Sequence, residues 1–119
     1  MSLIDDIGTL GADIEDAMER FMGKTELYER MLKKLPGVLK DTPVMEYIES
    51  EDYDTALSNA HSIKGIVGNL SLAPLHNGYT TIVECFREDR FEQAKSTLVE
   101  ILKIQQDFVD CINKYTSKD

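Results

Sequence analysis

Apolar residues recur mainly every three or four positions along this chain of 119 residues, which is the spacing of helices that bury one side. No stretch shows the strict alternation of apolar and polar residues that a half-buried strand requires. The pattern therefore predicts an all-α protein. We find no internal repeat and no low-complexity linker, and we expect one domain over residues 1–119 with its core between about 13 and 115.

The first half of the chain has the more interrupted pattern. A brief helix near the N-terminus is expected first, followed by a short amphipathic helix that Gly23 ends. Over residues 25–50 the pattern then predicts a helix with one or two interruptions. Pro36-Gly37 should kink or break it and Pro43 should disturb it again, because proline removes a backbone donor and clashes with the preceding turn.

The second half predicts three longer helices. The turn at Glu51-Asp52 introduces a helix over about 53–70, and another follows over about 72–88. Asp89 and Glu92 have the spacing of a capping box and open the longest helix. Because long helices joined by short connections pack as antiparallel neighbours, we expect an up-down four-helix bundle with an additional short N-terminal helical segment.

Composition and charge narrow the possible functions. Apolar residues make up 42% of the chain, which is enough for a core, and the formal net charge is -9. A strongly acidic chain repels nucleic acid and anionic membrane surfaces, so neither is an expected partner. No apolar run approaches the roughly 20 residues that a membrane-spanning helix needs, and the N-terminus lacks the pattern of a signal peptide.

The cysteines and histidines are too few and too scattered for a metal centre. Cys85 and Cys111 fall within helical apolar patterns, where free buried thiols are expected. Free thiols are typical of a reducing compartment, so we expect a cytoplasmic protein. We predict no metal site and no cofactor in this chain.

The helix over about 53–70 carries a second stripe besides its core stripe. On a helical wheel, Lys64, Gly65 and Gly68 fall within roughly 60° of His61. Five apolar residues lie on roughly the opposite side of the wheel. They are Ala56, Ala60, Ile63, Val67 and Leu70. His61 is therefore expected to face away from the core.

Two glycines on one exposed side of a helix require a reason, because each destabilises the helix by about 0.5–1 kcal/mol relative to alanine. One reason is access: Gly65 and Gly68 leave room for a bulky group to approach the helix backbone. Leu57 and Ser58, about one turn before His61, would complete a surface for a partner, with Leu57 as an exposed apolar contact.

A phosphoryl group on His61 would need such surroundings. Neutral imidazole is a competent nucleophile near neutral pH, and its phosphorylated form carries negative charge that the Lys64 ammonium can screen. Gly65 would leave space for the phosphoryl oxygens. The competing interpretation is an ordinary surface histidine with a lysine nearby, which is common on helices, and the spacing alone leaves both open.

The segment Ala60-His61-Ser62-Ile63-Lys64-Gly65, followed by Val67 and Leu70, resembles the signature of histidine phosphotransfer (HPt) domains. The resemblance extends over roughly residues 13–115. It departs from the family pattern at Val67, where a smaller residue is usual, and at Ser71, where many members have a glycine.

The resemblance implies a phosphoryl carrier in a multistep phosphorelay. His61 would accept the phosphoryl group from an aspartate of a response-regulator receiver domain, charged by a hybrid sensor histidine kinase, and pass it to another receiver. Lys64 would stabilise the phosphorylated state. Any Mg²⁺ would be supplied by the receiver, and the carrier is expected to be a monomer and not a stand-alone catalyst.

Two other functions are compatible with the same residues. One is a helical adaptor that docks on a receiver or another protein without being phosphorylated. The other is the phosphate-accepting domain of a chemotaxis-type histidine kinase, or another input domain of a longer kinase chain, which the segment around His61 also resembles.

Overall fold

Residues 2–116 are described by a computed structural model, and every regular element within them is a helix. In chain order the helices are α1 (Leu3–Thr9), α2 (Ile14–Arg20), α3 (Thr25–Asp41), α4 (Met45–Glu49), α5 (Tyr53–Asn69), α6 (Ala73–Arg87) and α7 (Phe91–Lys114). The predicted all-α class is confirmed.

The core lies where α6 packs against α5 on one side and α7 on the other. Helix α3 also contacts α7, and the short α4 contacts both α5 and α7. The apolar stripe predicted for α5 is confirmed, since each of its five residues is at most 5% exposed. These residues are Ala56, Ala60, Ile63, Val67 and Leu70.

The helix does not break at Pro36-Gly37, because α3 continues through both residues. Proline has a backbone φ that suits a helix and removes only one hydrogen bond. Leu32 and Leu35 are buried before it, and Leu39 packs against the core after it. Burial on both sides of the proline keeps the segment helical despite the missing bond.

The interruption near Pro43 is confirmed. Helix α3 ends at Asp41, and α4 begins at Met45. The amide of Asn59 on α5 donates a hydrogen bond of 2.7 Å to the carbonyl of Pro43. The break therefore fastens this part of the chain to α5.

The capping box predicted at Asp89 and Glu92 is also wrong. Asp89 adopts a left-handed conformation, with φ of 58°, as the chain leaves α6. The N-cap of α7 is Arg90, and no side chain caps that helix. The turn uses Asp89 to end one helix, so its side chain is not placed to begin the next.

The N-terminal helices attach to the rest of the chain at separate points. Helix α1 packs on α7, where the hydroxyl of Tyr115 donates to Asp6. The segment leading into α2 meets the α5–α6 turn, where the backbone N–H of Asp13 donates to the carbonyl of Ser71 at 2.9 Å. This attachment places α2 beside the C-terminal half of α5.

Both cysteines are free and buried, as the apolar pattern predicts. Burial raises the pKa of the Cys111 thiol, and nearby Asp6 adds to the effect. The thiol form is therefore favoured over the thiolate, and Cys111 packs in the core.

Candidate functional site

Helix α5 holds His61 in a defined direction through its caps and its buried side. Asp52 caps the N-terminus, where its carboxylate accepts from the backbone N–H of Thr55 at 3.2 Å. At the other end, the buried hydroxyl of Tyr28 donates to the carbonyl of Leu70 at 2.7 Å. With both ends held and one side buried, the side chain of His61 stands on the exposed side, as predicted.

His61 has a free imidazole. Within residues 2–116, no hydrogen bond or ion pair involves its side chain. Both ring nitrogens are therefore accessible to a reacting group, and no neighbouring carboxylate holds the ring in one orientation. Such a ring suits a nucleophile that meets its substrate on a partner molecule.

Lys64 lies one turn further along the same side of α5. It is half-buried, and among the described residues its ammonium forms no ion pair. The lysine therefore offers an uncompensated positive charge close to His61, in a chain whose net charge is -9. A negative group arriving at His61 would meet this charge first.

Gly65 adjoins open space. A Cβ atom built on this residue would meet nothing within 4 Å, apart from the helix's own backbone. No packing contact in the described chain explains the glycine. The space that it leaves lies about 6 Å from His61 along the helix axis, at 1.5 Å per residue.

Gly68 has a different environment from the one the sequence predicts. A Cβ atom there would lie 2.8 Å from Cδ2 and 3.2 Å from Nε2 of His76, on α6. The glycine therefore makes room for His76, so partner access is not needed to explain it. His76 is half-buried against α5.

Leu57 and Ser58, about one turn before His61, differ in exposure. Ser58 is exposed on the outward side of α5, as expected. Leu57 is only half-buried and packs against the core, so it is not the free apolar contact that the helical wheel suggests. Of this pair, Ser58 is the more available to a partner.

A cleft of about 300 Å³ opens beside this stripe, between α2, the C-terminal half of α5 and the start of α6. Lys64, Gly65 and Gly68 line it from α5, and His76 lines it from α6. His61 lies just outside the cleft, one turn before Gly65. The structure thus brings three of the predicted site residues to one cavity.

The opposite wall of the cleft comes from residues that sequence reasoning missed. Asp16 and Arg20 of α2 line it, together with Ser71 of the α5–α6 turn. Their spacing of four residues on a helix could have suggested that Asp16 and Arg20 pair with each other. Nothing in the local pattern indicates that they line the same cleft as Lys64.

Asp16 joins the walls of the cleft through one carboxylate oxygen. Its Oδ2 accepts from Ser71 Oγ at 2.7 Å and from Arg20 Nε at 2.8 Å. These hydrogen bonds, led by the one from Arg20, lower the pKa of Asp16 below its usual value. The carboxylate therefore stays ionised at neutral pH and keeps Arg20 beside it.

Ser71 occupies the position where the resembled family often has glycine, and its conformation explains why. Its φ is 58°, in the left-handed region that glycine adopts without strain. Here the side chain is retained and bonded to Asp16, and the residue is only 5% exposed. The left-handed conformation of Ser71 thus comes with a side chain that belongs to the wall of the cleft.

Residues 2–116 contain no group of three or more His, Cys, Asp or Glu side chains arranged to hold a metal ion. In the same residues, none of the helices combines the length and apolarity that crossing a bilayer requires. The reactive or charged side chains described in and beside the cleft are the imidazoles of His61 and His76, the cations of Lys64 and Arg20, and the carboxylate of Asp16.

Comparison with known proteins adds no relative to this description. The chain matches no protein-family model, no curated protein and no solved structure. The site itself offers an exposed imidazole, an ammonium one turn away that forms no ion pair among the described residues, and open space at Gly65.

Proposed function

We propose that this chain is a phosphoryl carrier in a multistep phosphorelay, with His61 as the phosphorylated residue. The proposal is supported above all by the free imidazole of His61, next to the unpaired Lys64 and the open space at Gly65. The donor is a response-regulator receiver domain charged by a hybrid sensor histidine kinase, and the acceptor is a second receiver domain.

The transfer requires one nucleophile from this chain. A neutral ring nitrogen of His61 attacks the phosphorus of the receiver's aspartyl phosphate. A P–N bond forms, the P–O bond to the aspartate breaks, and the carboxylate leaves with the electron pair. The ring keeps the proton on its other nitrogen, so no separate base is needed, and the reverse step passes the group to the next aspartate.

Lys64 and Gly65 act on the charge and the shape of the phosphorylated state. The ammonium is a mobile point charge that follows the phosphoryl oxygens as they move from one partner to the other. The absence of a side chain at Gly65 leaves room for those oxygens. Mg²⁺ belongs to the receiver in this scheme, so the chain is a carrier and not a complete enzyme.

The scaffold that we propose is an up-down four-helix bundle of α3, α5, α6 and α7, with α1 and α2 as the additional N-terminal part. It is supported by the packing of α6 between α5 and α7 and by the contact of α3 with α7. In this arrangement His61 projects from the middle of one bundle helix, where a receiver domain can reach it from solvent. The carrier acts as a monomer.

The experiment that tests the proposal exploits the two histidines of the chain. Phosphorylated receiver domains are mixed with the wild type, with His61→Gln and with the matched control His76→Gln. We expect the wild type and H76Q to become labelled and H61Q to remain unlabelled, because the P–N bond forms on His61. The label should be acid-labile and base-stable.

Labelling of H61Q at the wild-type level would exclude the proposed site. A receiver that binds the wild type but never labels it would favour the adaptor function instead. Lys64→Ala should slow transfer without changing the melting temperature, since Lys64 makes no ion pair in the described chain.

A further inference from the structure

Arg20 has unused hydrogen-bonding capacity in the cleft. Its Nε donates to Asp16 at 2.8 Å, and the side chain remains half exposed. Within residues 2–116, Nη1 and Nη2 have no hydrogen-bond partner. Because these two nitrogens carry four of the five donors of a guanidinium group, most of its capacity remains available.

Two residues of α5 that line the same cleft complement the free donors of Arg20. Lys64 supplies a second cation to the same cleft, and Gly65 leaves open space there. A tetrahedral anion that entered beside Gly65 would therefore enter a cleft lined by both an ammonium and a guanidinium. Arginine binds phosphoryl oxygens in pairs, whereas lysine acts as a point charge, so the two cations complement each other.

The simplest alternative interpretation of Arg20 is an ordinary surface ion pair with Asp16, which would contribute little to stability. Two features distinguish this pair. The same oxygen of Asp16 that holds Arg20 also accepts from Ser71, so the carboxylate is anchored to the α5–α6 turn across 55 positions of sequence. The anchored carboxylate in turn holds Arg20 in the cleft that Lys64 also lines.

We infer that Arg20 is a second cationic ligand of the phosphoryl group on His61, held in place by Asp16 and Ser71 so that its two terminal nitrogens can bind phosphoryl oxygens in the cleft beside Gly65. This inference rests on the proposed function and adds to it a residue from outside α5. Asp16 and Ser71 are positioning residues in this scheme, because they act through Arg20.

The test uses phosphoramidate, a small donor that requires no receiver domain. The His61 nitrogen attacks its phosphorus, the new P–N bond forms, and ammonia leaves with the electron pair of the old one. The initial labelling rate is measured for the wild type, Arg20→Gln, Arg20→Lys and the matched control Arg87→Gln, an exposed arginine at the far end of α6.

We expect R20Q to be labelled about tenfold more slowly than the wild type, the loss typical of a hydrogen bond to a charged group. R20K should fall between them, since it keeps the charge and loses the paired donors. R87Q should react like the wild type. Thermal unfolding of each variant checks that the differences do not arise from loss of the fold.

If R20Q is labelled as fast as R87Q, or if both slow down equally, the role of Arg20 is excluded while the phosphoryl-carrier proposal stands. If the wild type is not labelled on His61 at all, the proposed function fails and this inference fails with it. If R20Q unfolds at a lower temperature than the wild type, Asp16→Asn is tested in its place. A wild-type rate of labelling in D16N would exclude the positioning role of Asp16.

Discussion

Gly65 on the outward side of α5 and Gly78 between α6 and α7 can be compared directly, because both are glycines inside a helix. A Cβ atom at Gly78 would lie 2.2 Å from Cδ1 of Ile101, on α7, whereas one at Gly65 would meet nothing within 4 Å. Each glycine destabilises its helix by about 0.5–1 kcal/mol. At Gly78 the close approach of two helices offsets this loss, and at Gly65 no contact in the described chain does.

Gly68 lies between these extremes. It shares the outward side of α5 with Gly65, but its missing side chain is replaced by the imidazole of His76. One residue type on one helix therefore serves packing at Gly68 and leaves open space at Gly65. Only the neighbouring elements distinguish the two cases.

The largest expected effect is at Gly78. Gly78→Ala should destabilise the protein by about 1–3 kcal/mol, because the new methyl group overlaps Ile101 in a closely packed interface. Urea unfolding measures the change. The double variant G78A/I101V should recover part of the lost stability, since valine lacks the Cδ1 atom that the new methyl group overlaps. A G78A variant as stable as the wild type would show that the α6–α7 interface is looser than its distances indicate.

At Gly65 the same substitution should change stability in the opposite direction. Gly65→Ala should stabilise the protein by about 0.5–1 kcal/mol, because alanine favours the helix and meets no neighbour. It should also slow phosphorylation of His61, since the methyl group occupies the space proposed for phosphoryl oxygens. Gly68→Ala is the control, in which His76 must move, so that variant should gain no stability. A G65A variant with unchanged labelling would remove Gly65 from the site.

The smallest expected effect concerns the pH dependence of the Asp16 network. In the folded state the pKa of Asp16 is lowered, mainly by the hydrogen bond from Arg20. The ionised carboxylate therefore stabilises the fold at pH values above about 3.8, the pKa of a free aspartate. This stabilisation is lost as the pH falls through the lower pKa of the folded state. The stability difference between the wild type and Asp16→Asn should therefore shrink below pH 4. Asp107→Asn, which removes an exposed carboxyl on α7, is measured beside it as the matched control.

Much of the fold could be predicted where side-chain pattern and local caps agree. Helix α5 is the clearest case, because Asp52 caps it and its buried side repeats at helical spacing. The pattern failed at Pro36, where packing overrode a local penalty, and at Asp89, where a capping spacing coincided with a left-handed turn. Both failures come from rules that consider only a few neighbouring residues.

For the candidate site, the sequence by itself determined the stripe of His61, Lys64 and Gly65, because residues three and four positions apart on a helix must share a side. Only the tertiary structure decided that Arg20 lines the same cleft as Lys64 and that His76 fills the space at Gly68. Helical periodicity places a residue relative to its own helix. It carries no information on which side chain of another helix, dozens of residues away, completes the cleft.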